Sequence, residues 1–471
     1  MKKTKEREKV LSRGTSVGDL AMSLFGDYID VTTTNEAGIL NLEAMVNKTK
    51  ECLENGTESI CEASFMLNEL YCAVDILHRE GDGYAIYEVK STTKPEDYHL
   101  IDVAFQAYVL KSLGLNIISA NIVTLNSEYI RYGLLDIERL FKIHNVTEEI
   151  KELYNEVPTK LLEIKGLLEA KACPNECLKR ECEKPYECPF KDYCYKDLPK
   201  NNIFSLVRFK KKLELYKAGL VSFDDIYSSP IYKKLTLTNK DLIEFELLDK
   251  PMRVNKEGIK EFLSKIAYPL YLLDFESIQP PVPLYNKTRP YQQIPFQYSL
   301  HIINKKGEKP IHKDFLAEEG TNPTKAIALS LIKDIPADAM IMAYNTSFES
   351  SRIKELAIMH PSLKDELYKR LSFIDLMEPF KNHDIYKKEF KGSYSIKYIL
   401  PGLFPNDPEL DYHNLNLIHN GSEAMDMYLD IMSYSKSERA NIRECLLRYC
   451  ELDTYAMVKI LNKLYELVEE E

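Results

Sequence analysis

The chain has 471 residues, 45% of them hydrophobic and 29% charged, a balance that excludes a disordered, collagen-like or fibrous polymer and leaves room for two or three domains. Its formal net charge of -11 argues against binding nucleic acid by global charge, while remaining compatible with a local groove among clustered acids. No apolar run reaches the roughly 20 residues that span a bilayer, and the opening MKKTKEREKVLSRG has no apolar stretch behind its charges, so a cytoplasmic protein without a membrane partner is expected.

In chain order, residues 1–172 alternate helical patterns with strands, including a hairpin in AVDILHREGDGYAIYEVKS, where Gly-Asp-Gly separates two apolar runs. Residues 173–200 hold CPNECLKRECEKPYECPFKDYC, which reads as too irregular for a helix. Residues 201–265 read as a helical connector of short charged helices with caps such as LTNKDLIEF. From about residue 266 a second α/β pattern begins with the strand of YLLDFESIQPP and a further strand around PFQYSLHII. Helices then continue to residue 471.

The hairpin carries the first candidate site. Asp75 sits on one strand, and Glu88 and Lys90 on the next share a face because strand side chains alternate, with Val89 turned to the core. Two acids and a lysine that converge can hold Mg²⁺ or Mn²⁺ through oxygen ligands beside a scissile phosphate. The alternative is a solvent-facing hairpin with a surface ion pair. The helix after the hairpin carries Gln106 and Tyr108, and RGTSVGDLAMSLF and Glu62 lie upstream. With Asp75, Glu88, Lys90 and Gln106, this region resembles the PD-(D/E)XK superfamily in its RecB-like branch, over residues 14 to about 195. That resemblance implies a restriction-endonuclease-like α/β core with Asp75 and Glu88 on metal and Lys90 and Gln106 assisting. The proline that leads the family's motif is replaced here by Val74.

Five of the ten cysteines, Cys173, Cys177, Cys182, Cys188 and Cys194, crowd one segment, and in a cytosolic chain that reads as metal or cluster binding rather than disulfides. The run CEKPYECPFKDYC resembles the closely spaced cysteine triplet of iron–sulfur RecB-like nucleases. It implies a [4Fe–4S] cluster on Cys182, Cys188 and Cys194, with Cys173 or Cys177 completing it or a distant Cys52, Cys61 or Cys72 doing so. Zn²⁺ is the alternative occupant, since four thiolates also suit a tetrahedral structural site.

The second candidate site starts at Asp274 and Glu276, which share one strand face. By itself Asp-x-Glu reads as a solvated strand end. Further on, IMAYNTSFESSRIKELA leads a short strand through Asn345, Phe348 and Glu349 into a helix, and LLRYCELDTYAMVKIL places Tyr449 and Asp453 on one helical face. Asp274, Glu276, Glu349 and Asp453 suffice for two divalent cations. The set resembles the DnaQ-like exonuclease superfamily of RNase H fold, in the branch whose third motif is Tyr-x-x-x-Asp. It implies a mixed sheet with flanking helices, metal on the four acids, and Tyr449 positioning the attacking water. Glu349 departs from the aspartate usual at its position, and Asp375 reads as a structural acid.

With GSYSIKYILPGLFPN and PYQQIPFQYSLHI, nearly the whole chain resembles the prokaryotic domain of unknown function 2779 family, which fuses a DnaQ-like fold behind a RecB-like nuclease. The implied activity is metal-dependent hydrolysis of nucleic acid, DNA favoured over RNA, by in-line attack of water on phosphorus. A catalytically inactive nucleic-acid-binding or scaffold protein is the alternative. Histidines 301, 360 and 383 have no ligand spacing, and Tyr285, Tyr291 and Tyr298 are candidates for base stacking, with strand packing as the competing use.

Overall fold

The computed structural model describes residues 14–171, 178 and 182–469. Among the described residues the fold is mixed α/β, with two large sheets and one small one. Contacts divide it into two compact units, Met1–Glu176 with Pro280–Gln292, and Cys177–Gln279 with Gln293–Glu471. No described helix is long and apolar enough to cross a membrane.

In the first unit, β1 (Ile29–Asp30), β2 (Ser59–Leu67), β3 (Leu70–Glu80), β4 (Gly83–Lys90), β5 (Ile117–Leu125) and β6 (Phe141–Asn145) lie side by side in chain order. The pairs β1·β2 and β4·β5 are parallel and the rest antiparallel. The β3–β4 hairpin turns tightly, with Glu80 opposite Gly83 and Gly81 at φ +58, a conformation glycine adopts without a Cβ penalty. Strand alternation gives the sheet two apolar faces. Ile60, Leu77 and Ile86 pack with α1 (Leu42–Glu54) and α2 (Asp97–Ser112), while Cys61, Ile76 and Ala85 face the helical residues 14–21.

In the second unit, the strand order is β10 (Ile311–Leu316), β9 (Ile294–Ile303), β8 (Leu270–Ile278), β11 (Met340–Ala343), β12 (Phe373–Asp375). The strands β8, β9 and β10 run antiparallel, whereas β11 pairs parallel with both β8 and β12. A small ladder joins β7 (Arg253–Val254) to β13 (Ile385–Tyr386). Central β8 is covered on both faces: Leu270 and Leu272 enter one cluster, Tyr271, Leu273 and Phe275 the other. That explains its unbroken apolar run.

The segment 201–265 is more than a spacer between folds. Its helices α3 (Leu237–Leu247) and α4 (Lys256–Ser264) contribute Phe245, Ile259 and Phe262 to the core of the second unit. Buried Asp241 on α3 accepts both Arg253 nitrogens and His383 Nδ1. Among its described residues, the cysteine segment, expected to be irregular, includes a short helix at Lys191–Tyr195, which carries Cys194. The Lys191–Glu187 ion pair at 2.8 Å stands at its start.

Candidate metal centres

The first site forms where the hairpin opens. Pairing of β3 with β4 begins at Ile76 opposite Tyr87, so Asp75 and the Glu88–Lys90 end of β4 lie just beyond the ladder. β4 continues there against β5 alone, which frees one edge of its backbone. Asp75 Oδ2 takes the Val89 N–H on that edge at 2.6 Å. Lys90 Nζ donates to Glu88 Oε1 at 2.6 Å and to Asp102 Oδ2 at 2.7 Å, and Gln106 Nε2 donates to Glu88 Oε2 at 2.7 Å. The four predicted residues therefore meet.

Asp102 belongs to no motif. Its one available signal is its position four residues before Gln106 on α2, which puts both on one helical face. Burial, with the neighbouring charge of Asp75, pushes the Glu88 carboxyl up to about 8, and burial with Glu62 pushes Asp75 up to about 7. The hydrogen bond from Lys90 to Glu88 and that from the Val89 N–H to Asp75 oppose these shifts. The buried Gln106 Oε1 has no hydrogen-bond partner, an orphan acceptor that a bound cation or its water would satisfy.

The second site is built by docking one long helix across β8. α9 (Lys436–Glu469) is held on β9 by Gln297 Nε2 to the Leu446 carbonyl at 2.7 Å. Thr454 Oγ1 adds bonds to Ser299 Oγ at 2.6 Å and His301 Nδ1 at 2.7 Å. Those anchors aim Tyr449 and Asp453 at β8. Phe275 is buried in the opposite cluster, so Asp274 and Glu276 face the helix. Asp274, Glu276 and Asp453 offer ligand oxygens that all lie within 4.8 Å of one another, the one such group of three or more among the described residues.

Glu349 is placed apart from that trio. It lies in the first turn of α6 (Ser347–Met359), is buried, and its Oε2 has no partner. Its charge nevertheless acts on both Asp274 and Glu276. The chain reaches α6 through Asn345, whose φ of 71 is left-handed and whose N–H is taken by Asp375 Oδ1 at 2.9 Å. Asp375 Oδ1 also accepts the Met377 N–H at 3.0 Å, so this carboxylate is engaged by backbone.

Electrostatically the second site is short of positive charge. Burial and then Asp453 and Glu349 raise both Asp274 and Glu276, the latter up to about 8. Burial brings Glu349 up to about 8 and Asp453 up to about 7, the latter despite a hydrogen bond from Tyr412 and the charge of Lys397. Like charges gathered at this spacing favour protonation or a bound cation. A built Cβ on Gly421, the first residue of α8 (Gly421–Asp430), would sit 3.5 Å from Glu276 Oε2, so a helix N-terminus also approaches the cluster. The three acidic oxygen donors of Asp274, Glu276 and Asp453 fit a hard divalent cation.

Of the tyrosines proposed for stacking, Tyr298 is fully buried, stacked on Phe315, and donates to Asp334. Tyr291 packs in the core of the first unit and is bonded to Ser91. Both are packing residues.

Of the cysteines, Cys173 and Cys177 lie outside the described residues. Cys182 and Cys188 are half-buried and Cys194 is exposed, with the Cys188 N–H on the Cys182 carbonyl at 2.9 Å. The described thiols do not gather into a group as tight as the acids of the second site.

The fold and these sites define an α/β protein with two clusters of buried and half-buried acids, one of them paired with a lysine. Residues 271–395 match the model of a family described as Domain of unknown function (DUF2779). The matched stretch contains Asp274, Glu276 and Glu349 but ends before Tyr449 and Asp453. Uncharacterized protein MG366 of Mycoplasma genitalium is 25% identical over 231 residues, which cover 45% of this chain and 34% of that protein. The match thus spans about a third of that relative's length. No solved structure matches.

Proposed function

We propose that the chain is a divalent-metal-dependent nuclease hydrolysing phosphodiester bonds, DNA in preference to RNA, with a DnaQ-like 3′–5′ exonuclease-type site in the second unit and a RecB-like site in the first. The observation that carries this reading is the cluster of Asp274, Glu276 and Asp453, three carboxylates within 4.8 Å of one another, with no lysine or arginine among the described residues salt-bridged to any of them. A five-stranded mixed sheet with helices on both faces supports it, because that is the architecture the DnaQ-like resemblance implies.

In this reading Asp274, Glu276 and Asp453 hold Mg²⁺ or Mn²⁺, with Glu349 joining from α6. The cation supplies positive charge to the phosphoryl oxygens. Tyr449, one helical turn before Asp453, orients the attacking water through its phenol, which burial and the neighbouring acids keep protonated. In the first unit Asp75 and Glu88 hold the cation. Lys90, shared between Glu88 and Asp102, is retained in its charged form next to the phosphate. Gln106 fixes the Glu88 carboxylate.

The test is hydrolysis of single- and double-stranded DNA and RNA by the purified chain with Mg²⁺ or Mn²⁺. Glu88→Ala is expected to lose at least about a hundredfold of the activity belonging to the first site. A wild-type chain inert on every substrate would leave the alternative of a non-catalytic nucleic-acid-binding or scaffold protein.

Cys182, Cys188 and Cys194, with Cys173 or Cys177, are proposed to hold a [4Fe–4S] cluster, Zn²⁺ being the competing occupant. Anaerobically purified protein is then brown, with a broad visible band bleached by dithionite. A colourless preparation with stoichiometric zinc would transfer the site to Zn²⁺.

A further inference from the structure

Tyr412 lies in none of the motifs that mark the second site, yet its hydroxyl donates to Asp453 Oδ1 at 2.5 Å. Its ring meets Tyr449 edge-on, with centroids 5.9 Å apart. Two tyrosines from different segments therefore touch, one of them a residue of the proposed catalytic machinery and the other bonded to an acid of the cluster. Tyr412 also belongs to the wall of a cavity of about 700 Å³ that opens beside Asp453 and is shared with Lys397, Leu400, Phe404 and Tyr449.

The hydrogen bond has a definite geometric effect. The terminal torsion of an aspartate is broad and weakly preferred, so an unrestrained Asp453 carboxyl samples many orientations. A donor fixed on one oxygen sets the plane of the group and hence where the second oxygen points. The donor is neutral, so it orients the carboxylate without cancelling the negative charge a cation requires. Lys397 acts on the same acid through its charge alone, with no hydrogen bond between them among the described residues.

We propose that Tyr412 is a positioning residue of the carboxylate cluster, holding Asp453 in the orientation that binds a divalent cation. This rests on the reading of the cluster as a metal centre. Hydrogen-bond partners of metal ligands commonly contribute ten- to hundredfold to metal affinity.

The experiment is titration of the full-length protein with Mn²⁺ in the absence of nucleic acid. Free Mn²⁺ is read by electron paramagnetic resonance in a Glu88→Ala background that removes the first site. Tyr412→Phe keeps the ring against Tyr449 and deletes only the donor. It is expected to weaken Mn²⁺ binding about ten- to hundredfold, with the metal-free melting temperature unchanged.

Tyr455→Phe is the matched control. It lies on the same helix as Asp453, and its hydroxyl is spent on Glu409 at 3.1 Å, so it should leave Mn²⁺ binding unchanged. In hydrolysis, the Mn²⁺ concentration for half-maximal rate should rise in Tyr412→Phe by the same factor, while the rate at saturating Mn²⁺ stays within about threefold. Mn²⁺ affinity in Tyr412→Phe equal to or tighter than that of its parent would overturn the positioning role alone. A parent that binds no Mn²⁺ would remove the metal centre and the inference with it.

Discussion

Asp274→Asn, made in a Glu88→Ala background so that only the second site can act, is expected to lose at least about a hundredfold of the Mg²⁺-dependent hydrolysis. Asparagine keeps the shape of the side chain and removes the charge. Asp453, Glu349 and Glu276 all act on the Asp274 carboxyl, and Cys450 Sγ lies 3.8 Å from its Oδ2.

The same substitution should raise the melting temperature of the metal-free protein at pH 8, because it deletes one of four like charges crowded at the site. Activity and stability thus move in opposite directions, which separates loss of a ligand from loss of the fold. Hydrolysis within tenfold of the parent would place catalysis outside this cluster.

Metal-free stability should fall as pH rises from about 4 to about 8, and Mn²⁺ should restore it at the upper end. The sign follows from proton counts. Asp453 is pushed up to about 7 and Glu276 and Glu349 up to about 8, whereas the same groups in the unfolded chain titrate near their ordinary values of about 4. Between those limits the folded state binds more protons than the unfolded one, so stability is fully present below pH 4 on this account. It is lost as pH passes through the folded values. Asp75 and Glu88 in the first unit contribute with the same sign.

Other groups add their own acid denaturation below pH 4, so the window to measure is pH 5 to 8. Mn²⁺ at a hundredfold excess over its Kd would stabilise by about 2.7 kcal/mol, visible as a rise in melting temperature at pH 8 and a smaller one at pH 5. A profile that rises from pH 5 to 8 without metal would show that these acids are not raised in the folded state.

Much of the local arrangement was legible before any fold. The Gly-Asp-Gly turn marked the hairpin that β3 and β4 form, and alternation put Glu88 with Lys90 and Asp274 with Glu276 on shared faces. Helical spacing put Tyr449 one turn before Asp453 on α9. Asp102 offered only its helical spacing from Gln106 and Tyr412 offered no signal, since the hydrogen bonds that bring them in, Lys90 Nζ to Asp102 Oδ2 and the Tyr412 hydroxyl to Asp453 Oδ1, are made by the tertiary fold. The segment 201–265 reads as a connector because its helices are short and charged. Its apolar residues are about as frequent as in the chain as a whole; some, such as Ile203, Phe223 and Ile226, pack against one another within the segment, while Phe245 is buried against Tyr386, more than a hundred residues away.

By itself the sequence determined which residues share a strand face or a helix turn, because those relations follow from the backbone periods of two and 3.6 residues. Tertiary structure alone decided that Asp453 meets Asp274 and Glu276 within 4.8 Å and that Glu349 stands outside that group. The first outcome depends on where α9 is pinned by Gln297, Ser299 and His301 on β9. The second depends on the left-handed turn at Asn345, which sets where α6 begins. Distances between elements are fixed by packing and by hydrogen bonds across the sheet, and no period in the chain encodes them.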